Sequence, residues 1–233
     1  MQNPGIKKFV DRQGLAVDLA ERIAELLSHA VERSGEACLA VSGGSTPAAL
    51  FDQLSQLAVP WEKVVVTLVD ERWVAPDDAD SNEHLVRSRL LQNRAAAANF
   101  VGLKTPAATA AEGEAECKQR LAKLPHPYAS LVLGMGKDGH TASLFPGAAQ
   151  LAAATDMMSG RTCMAVTPPA APHDRMTLTL PAILDARRIF LHITGQEKWQ
   201  VLQKALQEGP AHEMPIRFIL RQQTTPVVVF WGP

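Results

Sequence analysis

Residues 38–47 read CLAVSGGSTP, an apolar run that passes through two glycines towards the start of a helix. The uncharged residues 38–41 predict a strand that is buried on both faces of a sheet. Pro47 suits the first turn of the following helix, where its missing N–H needs no partner. A strand, a tight turn and a helix in this order indicate an α/β fold with a parallel sheet.

The same alternation of apolar runs and amphipathic segments extends on both sides of residues 38–47. It predicts one compact domain over residues 1–233, with helices covering both faces of a mostly parallel sheet. Ligands of such sheets bind beyond the carboxyl ends of the strands, so residues that directly follow strands are the candidates for a site. The predicted strands are residues 38–41, 64–69, 130–133, 162–166, 189–193 and 226–230, and the predicted helices are residues 15–31, 50–57, 85–91 and 110–124.

Three of the predicted helix starts carry side chains with the spacing of a capping box. In such a box, the first side chain accepts a hydrogen bond from the backbone three residues later, and the acidic side chain there reaches back. The pairs are Thr109 with Glu112, Thr194 with Glu197 and, with Asp as the cap, Asp80 with Glu83.

The composition limits the classes of partner. The 233 residues contain 23 basic and 24 acidic side chains, so broad electrostatic capture of nucleic acid or an anionic membrane is excluded. Aromatic residues make up only 5%, which argues against stacking platforms for single strands. No interface can be read from the sequence, and a homo-oligomer stays open.

The cysteines and the first residues predict a cytoplasmic protein. Cys38, Cys117 and Cys163 are widely spaced and form no CxxC motif, so neither a disulfide framework nor a zinc site is expected. The first twelve residues have no apolar core typical of a secretory signal.

The turn after the first predicted strand is a candidate anion site. Backbone N–H groups and the dipole of the following helix favour a negative charge, and the hydroxyl groups add donors. The Walker A pattern is absent, so a single phosphate is a better match than a nucleoside triphosphate. On the motif alone, this interpretation and an ordinary strand–helix turn are evenly balanced. The candidate residues are Ser42, Gly43, Gly44, Ser45 and Thr46.

The run Asp70-Glu71-Arg72 follows the second predicted strand directly. At the ligand-binding edge of the sheet, Asp70 could orient a water or a protonated group, and Arg72 could hold a phosphate or carboxylate through its planar fork. The alternative is a solvated loop in which these charges pair with each other.

The glycine-rich segment at residues 134–140, GMGKDGH, places functional side chains at the end of a third predicted strand. Its GxGxxG spacing does not indicate a dinucleotide site, because it lies past the middle of the chain and Pro146 would cut short any following helix. Histidine suits proton transfer near neutrality, and a nearby carboxylate can fix its tautomer. We therefore favour a catalytic role for His140 with Asp138 and Lys137 over a structural histidine.

Two further cations are candidates for the same cleft. Lys198 falls in the first turn of a predicted helix, where a cation opposes the helix dipole, so an anionic partner would explain it. A solvated lysine is the alternative. Arg175 precedes an alternating run and could point into the cleft.

Four segments together resemble the 6-phosphogluconolactonase family, and the resemblance covers residues 41–198. They are SGGSTP at 42–47, DER at 70–72, DSN at 80–82 and GMGKDGHTASLFP at 134–146. The resemblance implies a modified Rossmann-like three-layer α/β sandwich. It also implies hydrolysis of 6-phospho-D-glucono-1,5-lactone to 6-phosphogluconate, the second step of the oxidative pentose phosphate pathway, without cofactor or metal.

The resemblance also suggests a mechanism. The phosphate would bind residues 42–46 with Lys198 and Arg175, while His140 activates water and Asp138 supports it. Arg72, with Lys137, would stabilise the oxyanion or place the ring. Whether Asp70 or Asp138 is the more important carboxylate stays open.

Two alternatives to the lactonase are retained. Related glucosamine-6-phosphate deaminases have a glutamate five residues after the histidine, where this chain has Phe145, which cannot transfer a proton. A non-enzymatic sugar-phosphate sensor is the other alternative, although no helix-turn-helix segment with a basic face is evident.

Overall fold

The computed structural model describes residues 4–233, and its centre is a seven-stranded sheet in which every neighbouring pair is parallel. The strand order is β1-β10-β9-β6-β2-β3-β5. The α/β fold with a mostly parallel sheet is thus confirmed. The strands of this sheet are β1 (Gly5–Lys8), β2 (Ala37–Val41), β3 (Val64–Leu68), β5 (Asn99–Val101), β6 (Ser130–Leu133), β9 (Ile189–Thr194) and β10 (Val227–Gly232).

Helices cover both faces of this sheet. Trp231 in β10 packs against Trp199 of α7 on one face, with ring centroids 5.0 Å apart. The next residue, Gly232, points to the other face, where a Cβ would lie 3.2 Å from Leu15 of α1. The helices are α1 (Arg12–Ser34), α2 (Ala48–Leu54), α3 (Asn82–Leu85), α4 (Ala110–Leu121), α5 (Leu151–Thr155), α6 (Leu180–Leu184), α7 (Gln196–Leu206) and α8 (Ile216–Arg221).

A second, antiparallel sheet stands beside the first, in the order β4-β8-β7. The strand predicted at residues 162–166 belongs to this small sheet. The other two strands of this sheet, β4 and β8, were not predicted, because β4 consists of three charged residues and β8 begins with an arginine. The strands are β4 (Asp70–Arg72), β7 (Cys163–Val166) and β8 (Arg175–Leu178).

The predicted helix starts have mixed outcomes. Thr109 and Glu112 form the expected capping box. At α3 the cap is Ser81 rather than Asp80, and its hydroxyl accepts from the N–H of His84. Helix α7 begins after Gly195, without a side-chain cap at Thr194, because the left-handed glycine already turns the chain. The helix predicted at residues 85–91 is instead the end of α3 followed by one π-helical turn, Val86–Leu90.

The sheet order creates a crevice at the middle of the sheet. Strand β2 lies between β3, which follows it in the chain, and β6, which comes much later. The loops after β2 and β6 therefore diverge at this edge, which is where ligands bind in open α/β sheets. Within residues 4–233, the helices are all too short or too polar to cross a membrane.

Candidate active site

A cleft of about 200 Å³ opens at the carboxyl ends of β2, β3, β6 and β9. The structure brings together predicted residues from four separate segments in its lining. Ser45, Lys137, Asp138 and Arg175 do not line it. The predicted residues in the lining are Ser42, Gly43, Gly44, Thr46, Asp70, Arg72, His140 and Lys198, and Asn82 and His192 join them.

His140 and Asp138 form a hydrogen-bonded pair in the loop after β6. Nδ1 of His140 lies 2.6 Å from Oδ1 of Asp138, and the same oxygen accepts from the backbone N–H of His140 at 3.1 Å. Burial by itself raises the pKa of Asp138, but the hydrogen bond and charge of His140 outweigh it, so the pKa lies below 3.8. An ionised Asp138 favours hydrogen on Nδ1, which leaves the lone pair of Nε2 available for chemistry.

The turn that holds this pair requires glycine at position 136. A Cβ there would lie 2.1 Å from Nδ1 of His140 and 2.5 Å from Oδ1 of Asp138. The turn is closed by a hydrogen bond from Gly136 N–H to His140 O at 2.8 Å. No helix begins directly after His140, the next one being α5 at Leu151, so the GxGxxG spacing serves this turn and not a dinucleotide.

Asp70 lies in β4 and faces the cleft, and hydrogen bonds from Ser143 and Asn82 hold it in place. The hydroxyl of Ser143, which is fully buried, donates to Oδ2 of Asp70 at 2.6 Å. The side-chain amide of Asn82 donates to the backbone oxygen of Asp70 at 2.8 Å. Ser143 therefore orients the carboxylate, and its burial excludes it as an exposed nucleophile.

Glu71 fixes the wall of the cleft between β4 and α3, a role that the sequence did not indicate. Its buried carboxylate accepts backbone N–H bonds from Arg72, Asn82 and Glu83, each at 2.7 Å, and a bond from the Ser81 hydroxyl at 3.0 Å. Burial raises the pKa of Glu71 in spite of these four donors. Residues 81–83, which overlap the predicted run at 80–82, thus hold this carboxylate in place.

The two arginines of the small sheet differ in their access to the cleft. Arg72 lines it and donates to the backbone oxygen of Asp80. Arg175 pairs with Arg72 across the strands, but it is buried outside the lining, and its NH1 has no partner within residues 4–233. Burial, and then the charge of Arg72, lower the pKa of Arg175.

The loop after β2 is fastened to the loop after β6. The Ser42 hydroxyl donates to Val132 O at 3.0 Å and accepts from Gly134 N–H at 3.1 Å, so it is engaged within the protein. Gly43 packs on Asn82, whose Oδ1 would lie 1.9 Å from a Cβ at this position. Ser45 is exposed and lies outside the cleft lining.

Lys198 enters the cleft from the first turn of α7, as expected. Its Nζ donates to Met135 O at 2.6 Å, and burial lowers its pKa. Lys137 differs from the prediction: it extends into solvent at the rim and pairs with Glu197 at 2.9 Å. Within residues 4–233, no group of three or more His, Cys, Asp or Glu side chains is arranged to hold a metal ion.

Comparison with known proteins agrees with this geometry. A family model described as glucosamine-6-phosphate isomerases/6-phosphogluconolactonase matches residues 10–231. The chain belongs to this family. A curated 6-phosphogluconolactonase from Mesorhizobium japonicum is 46% identical over 225 residues, covering 97% of this chain and 94% of the relative.

Solved structures of the family have the same fold. A 6-phosphogluconolactonase from Shewanella baltica superposes with a TM-score of 0.97 at 46% identity, covering 100% of this chain and 99% of that chain. A monomeric glucosamine-6-phosphate deaminase reaches a TM-score of 0.81 at 19% identity, covering 98% and 97% of the two chains. The second likeness shows a shared fold only.

Two further side chains, Phe145 and His192, bear on how the site works. The ring of Phe145 packs against His140, with centroids 4.5 Å apart, so the position at which the sequence analysis expects a glutamate in a deaminase is apolar here. His192 in β9 lines the cleft and was missed by the sequence analysis. The signal that could have found it is one polar residue inside the apolar run of β9, IFLHIT.

Proposed function

We infer that this protein hydrolyses 6-phospho-D-glucono-1,5-lactone to 6-phospho-D-gluconate, the second step of the oxidative pentose phosphate pathway. Its family relatives of high identity and coverage are 6-phosphogluconolactonases. The observation that carries the inference is the His140–Asp138 pair at the cleft, with Nε2 of His140 available as a base. All three cysteines are free thiols, which supports a reducing, cytoplasmic location.

In the proposed reaction, Nε2 of His140 takes a proton from water, and the hydroxide formed attacks the lactone carbonyl carbon, C1. Asp138 stabilises the resulting imidazolium through Nδ1, as its ionised state allows. The carbonyl oxygen becomes an oxyanion, and Arg72, one of the two lining residues Arg72 and Lys198 that carry a fixed positive charge, would stabilise it. The bond from C1 to the ring oxygen then breaks, and the ring oxygen takes the proton from His140. General base catalysis of this kind contributes about 10²–10⁴-fold.

We assign the phosphate to the opposite end of the cleft. The loop at residues 42–46 offers backbone N–H groups and the Thr46 hydroxyl, and Lys198 supplies a partly desolvated positive charge. Lys137 and Arg175 would act at longer range, since one pairs with Glu197 and the other is buried behind Arg72. Asp70, oriented by Ser143, would hold the sugar ring or the attacking water.

The deaminase alternative is disfavoured by Phe145. Ring opening of an amino sugar in the related deaminases uses a glutamate at this position, and an apolar ring against His140 offers no second proton-transfer group. Lactone hydrolysis needs only one base with its orienting carboxylate, which this site contains.

The test is a direct assay with freshly prepared lactone, followed by proton release. We expect acceleration by the wild type and its loss in His140→Asn, while the matched variant His29→Asn, on the exposed surface of α1, keeps full activity. Release of ammonia from glucosamine 6-phosphate would instead identify a deaminase. A melting-temperature shift with 6-phosphogluconate but no acceleration of hydrolysis would identify a sensor.

A further inference from the structure

His192 is a buried histidine that the proposed reaction does not use. It lies in β9, one of the inner strands of the large sheet, and only 4% of its surface is exposed. Its ring nitrogen Nδ1 is enclosed and has no hydrogen-bond partner within residues 4–233. Because Nδ1 is enclosed while His192 lines the cleft, Nε2 is the ring nitrogen that is left to contact a ligand.

The strand register shows where His192 lies relative to the cleft. Strand β6 pairs with β9 up to Leu133 opposite Leu191, so the next position, Gly134, comes beside His192 just beyond the end of β6. Residues in register on parallel strands point to the same side. A Cβ on Gly134 would meet nothing within 4 Å, and both residues line the cleft. The missing side chain of Gly134 therefore leaves room beside the histidine.

The charge state of the ring follows from its burial. Desolvation lowers the pKa of His192 to about 4, so the imidazole is neutral at pH 7 and carries one N–H. Phe230 pairs with His192 on β10, and the other lining residues from β6 and β9 are apolar or glycine. In folded proteins, a buried N–H without an acceptor is rarer than a buried acceptor without a donor. The enclosed Nδ1 is therefore the unprotonated nitrogen, and the hydrogen lies on Nε2.

We propose that His192 is a substrate-binding residue, whose neutral Nε2–H donates a hydrogen bond to an oxygen of the sugar phosphate at the floor of the cleft. The assignment rests on the proposed function. A neutral donor holds the substrate equally before and during reaction, so its effect falls on binding and not on the chemical step. It would supplement the anion-binding loop and Lys198, which line the same cleft.

The kinetic test compares His192→Leu with His192→Gln. We expect His192→Leu to raise KM for the lactone about tenfold, with kcat within about twofold of wild type. His192→Gln, whose amide can still donate, should recover most of that loss. Phe190→Leu, which changes packing on the same strand outside the cleft lining, serves as the control and should keep the wild-type KM. An unchanged KM in His192→Leu would overturn the proposal.

Inhibition locates the acceptor oxygen. If it lies on the phosphate, His192→Leu weakens inhibition by inorganic phosphate and by 6-phosphogluconate to the same degree. If it lies on the sugar chain, only inhibition by 6-phosphogluconate weakens. Either pattern supports the hydrogen bond, and inhibition constants unchanged for both compounds contradict it.

Nitrogen-15 spectroscopy of the histidine rings gives a readout that is independent of activity. At pH 7 we expect the Nε2–H tautomer for His192, and a shift of its Nε2 signal when 6-phosphogluconate is added. The Nδ1–H tautomer, or a signal that does not respond to saturating 6-phosphogluconate, would overturn the proposal. A wild-type protein that neither hydrolyses the lactone nor binds the product would instead overturn the proposed function itself.

Discussion

The hydroxyl of Ser143 donates a 2.6 Å hydrogen bond to the carboxylate of Asp70, a residue 73 positions earlier in the chain. This bond joins the loop that carries His140 to the wall that carries Arg72. The backbone of Ser143 is held in turn by the Thr177 hydroxyl, which accepts its N–H at 3.2 Å. Two sides of the cleft are thereby fixed relative to each other through one buried side chain.

We expect Ser143→Ala to weaken both stability and activity. Removing the donor leaves Oδ2 of Asp70 without that partner, at a cost of about 2 kcal/mol in the free energy of unfolding. The freed carboxylate would turn away from its present position, and kcat/KM should fall about tenfold or more. Urea unfolding and the lactonase assay measure the two effects. Ser88→Ala, an exposed serine on the π-helical turn, is the control, and equal activity of the two variants would contradict the role of Ser143.

The hydrogen bond between His140 and Asp138 predicts that catalysis requires a charged carboxylate at position 138. Asp138→Asn keeps the size of the side chain but can donate to Nδ1, which would place the ring hydrogen on Nε2 and remove the base. We expect a loss in kcat of about 10²–10⁴-fold, similar to His140→Asn, because either change removes the same general base. The double variant should lose little beyond the single ones. Additive losses would show that the two residues act separately.

Gly136→Ala tests the space that the catalytic pair needs. A Cβ at this position falls 2.1 Å from Nδ1 of His140, so the ring must leave Asp138 or the turn must open. Turnover should drop about a hundredfold or more, on the scale of losing general base catalysis, while binding of inorganic phosphate persists. The matched control is Gly5→Ala, where a Cβ meets nothing within 4 Å. Wild-type turnover in Gly136→Ala would refute the steric argument.

Lys198→Met should act mainly on substrate binding. Its ammonium group is partly desolvated at the cleft, away from the proposed reacting carbon, so removing it should raise KM about tenfold or more and change kcat less. The exposed Lys63→Met provides a control for general loss of charge. A pure loss of kcat with unchanged KM would place Lys198 at the reacting carbon instead.

The buried His192 predicts a pH dependence of stability. Its pKa is about 4 in the folded state against 6.5 when solvated, so the unfolded chain binds the proton more readily. Stability attributable to this residue is therefore complete above pH 6.5 and is lost as the pH falls towards 4, by up to about 3 kcal/mol. Urea unfolding between pH 4.5 and 8 should show a steeper acid decline for wild type than for His192→Leu. Parallel curves would rule out this contribution.

Much of the fold could be predicted from hydrophobic pattern. All six predicted apolar runs are strands, five of them in the parallel sheet, because buried strands have few charges and stand out from amphipathic helices. The short strand at residues 70–72 could not be found in this way, since its residues are all charged and it is held by pairing with β8 and by the hydrogen bonds that residues 81–83 donate to Glu71. These partners are distant in the chain, and only the folded structure brings them together.

The candidate site, like the fold, could be predicted from the sequence only in part. His140, Arg72 and Lys198 could be placed near one another because each follows a strand at the same edge of the sheet. The positions of Lys137 and Arg175 depended on neighbours that the sequence does not reveal, namely Glu197 and the cross-strand Arg72. His192 was missed because the run of β9 shows a histidine among apolar residues but does not show that this histidine touches the cleft.

The cleft is lined by segments spread from residue 42 to residue 198, and the last of its strands in the chain is β9. During synthesis, the first 180 residues can supply the anion-binding loop and the catalytic turn, but they lack His192 and Lys198. A nascent chain on the ribosome therefore cannot bind substrate fully until residue 198 has emerged. Activity of this enzyme should arise in one late step.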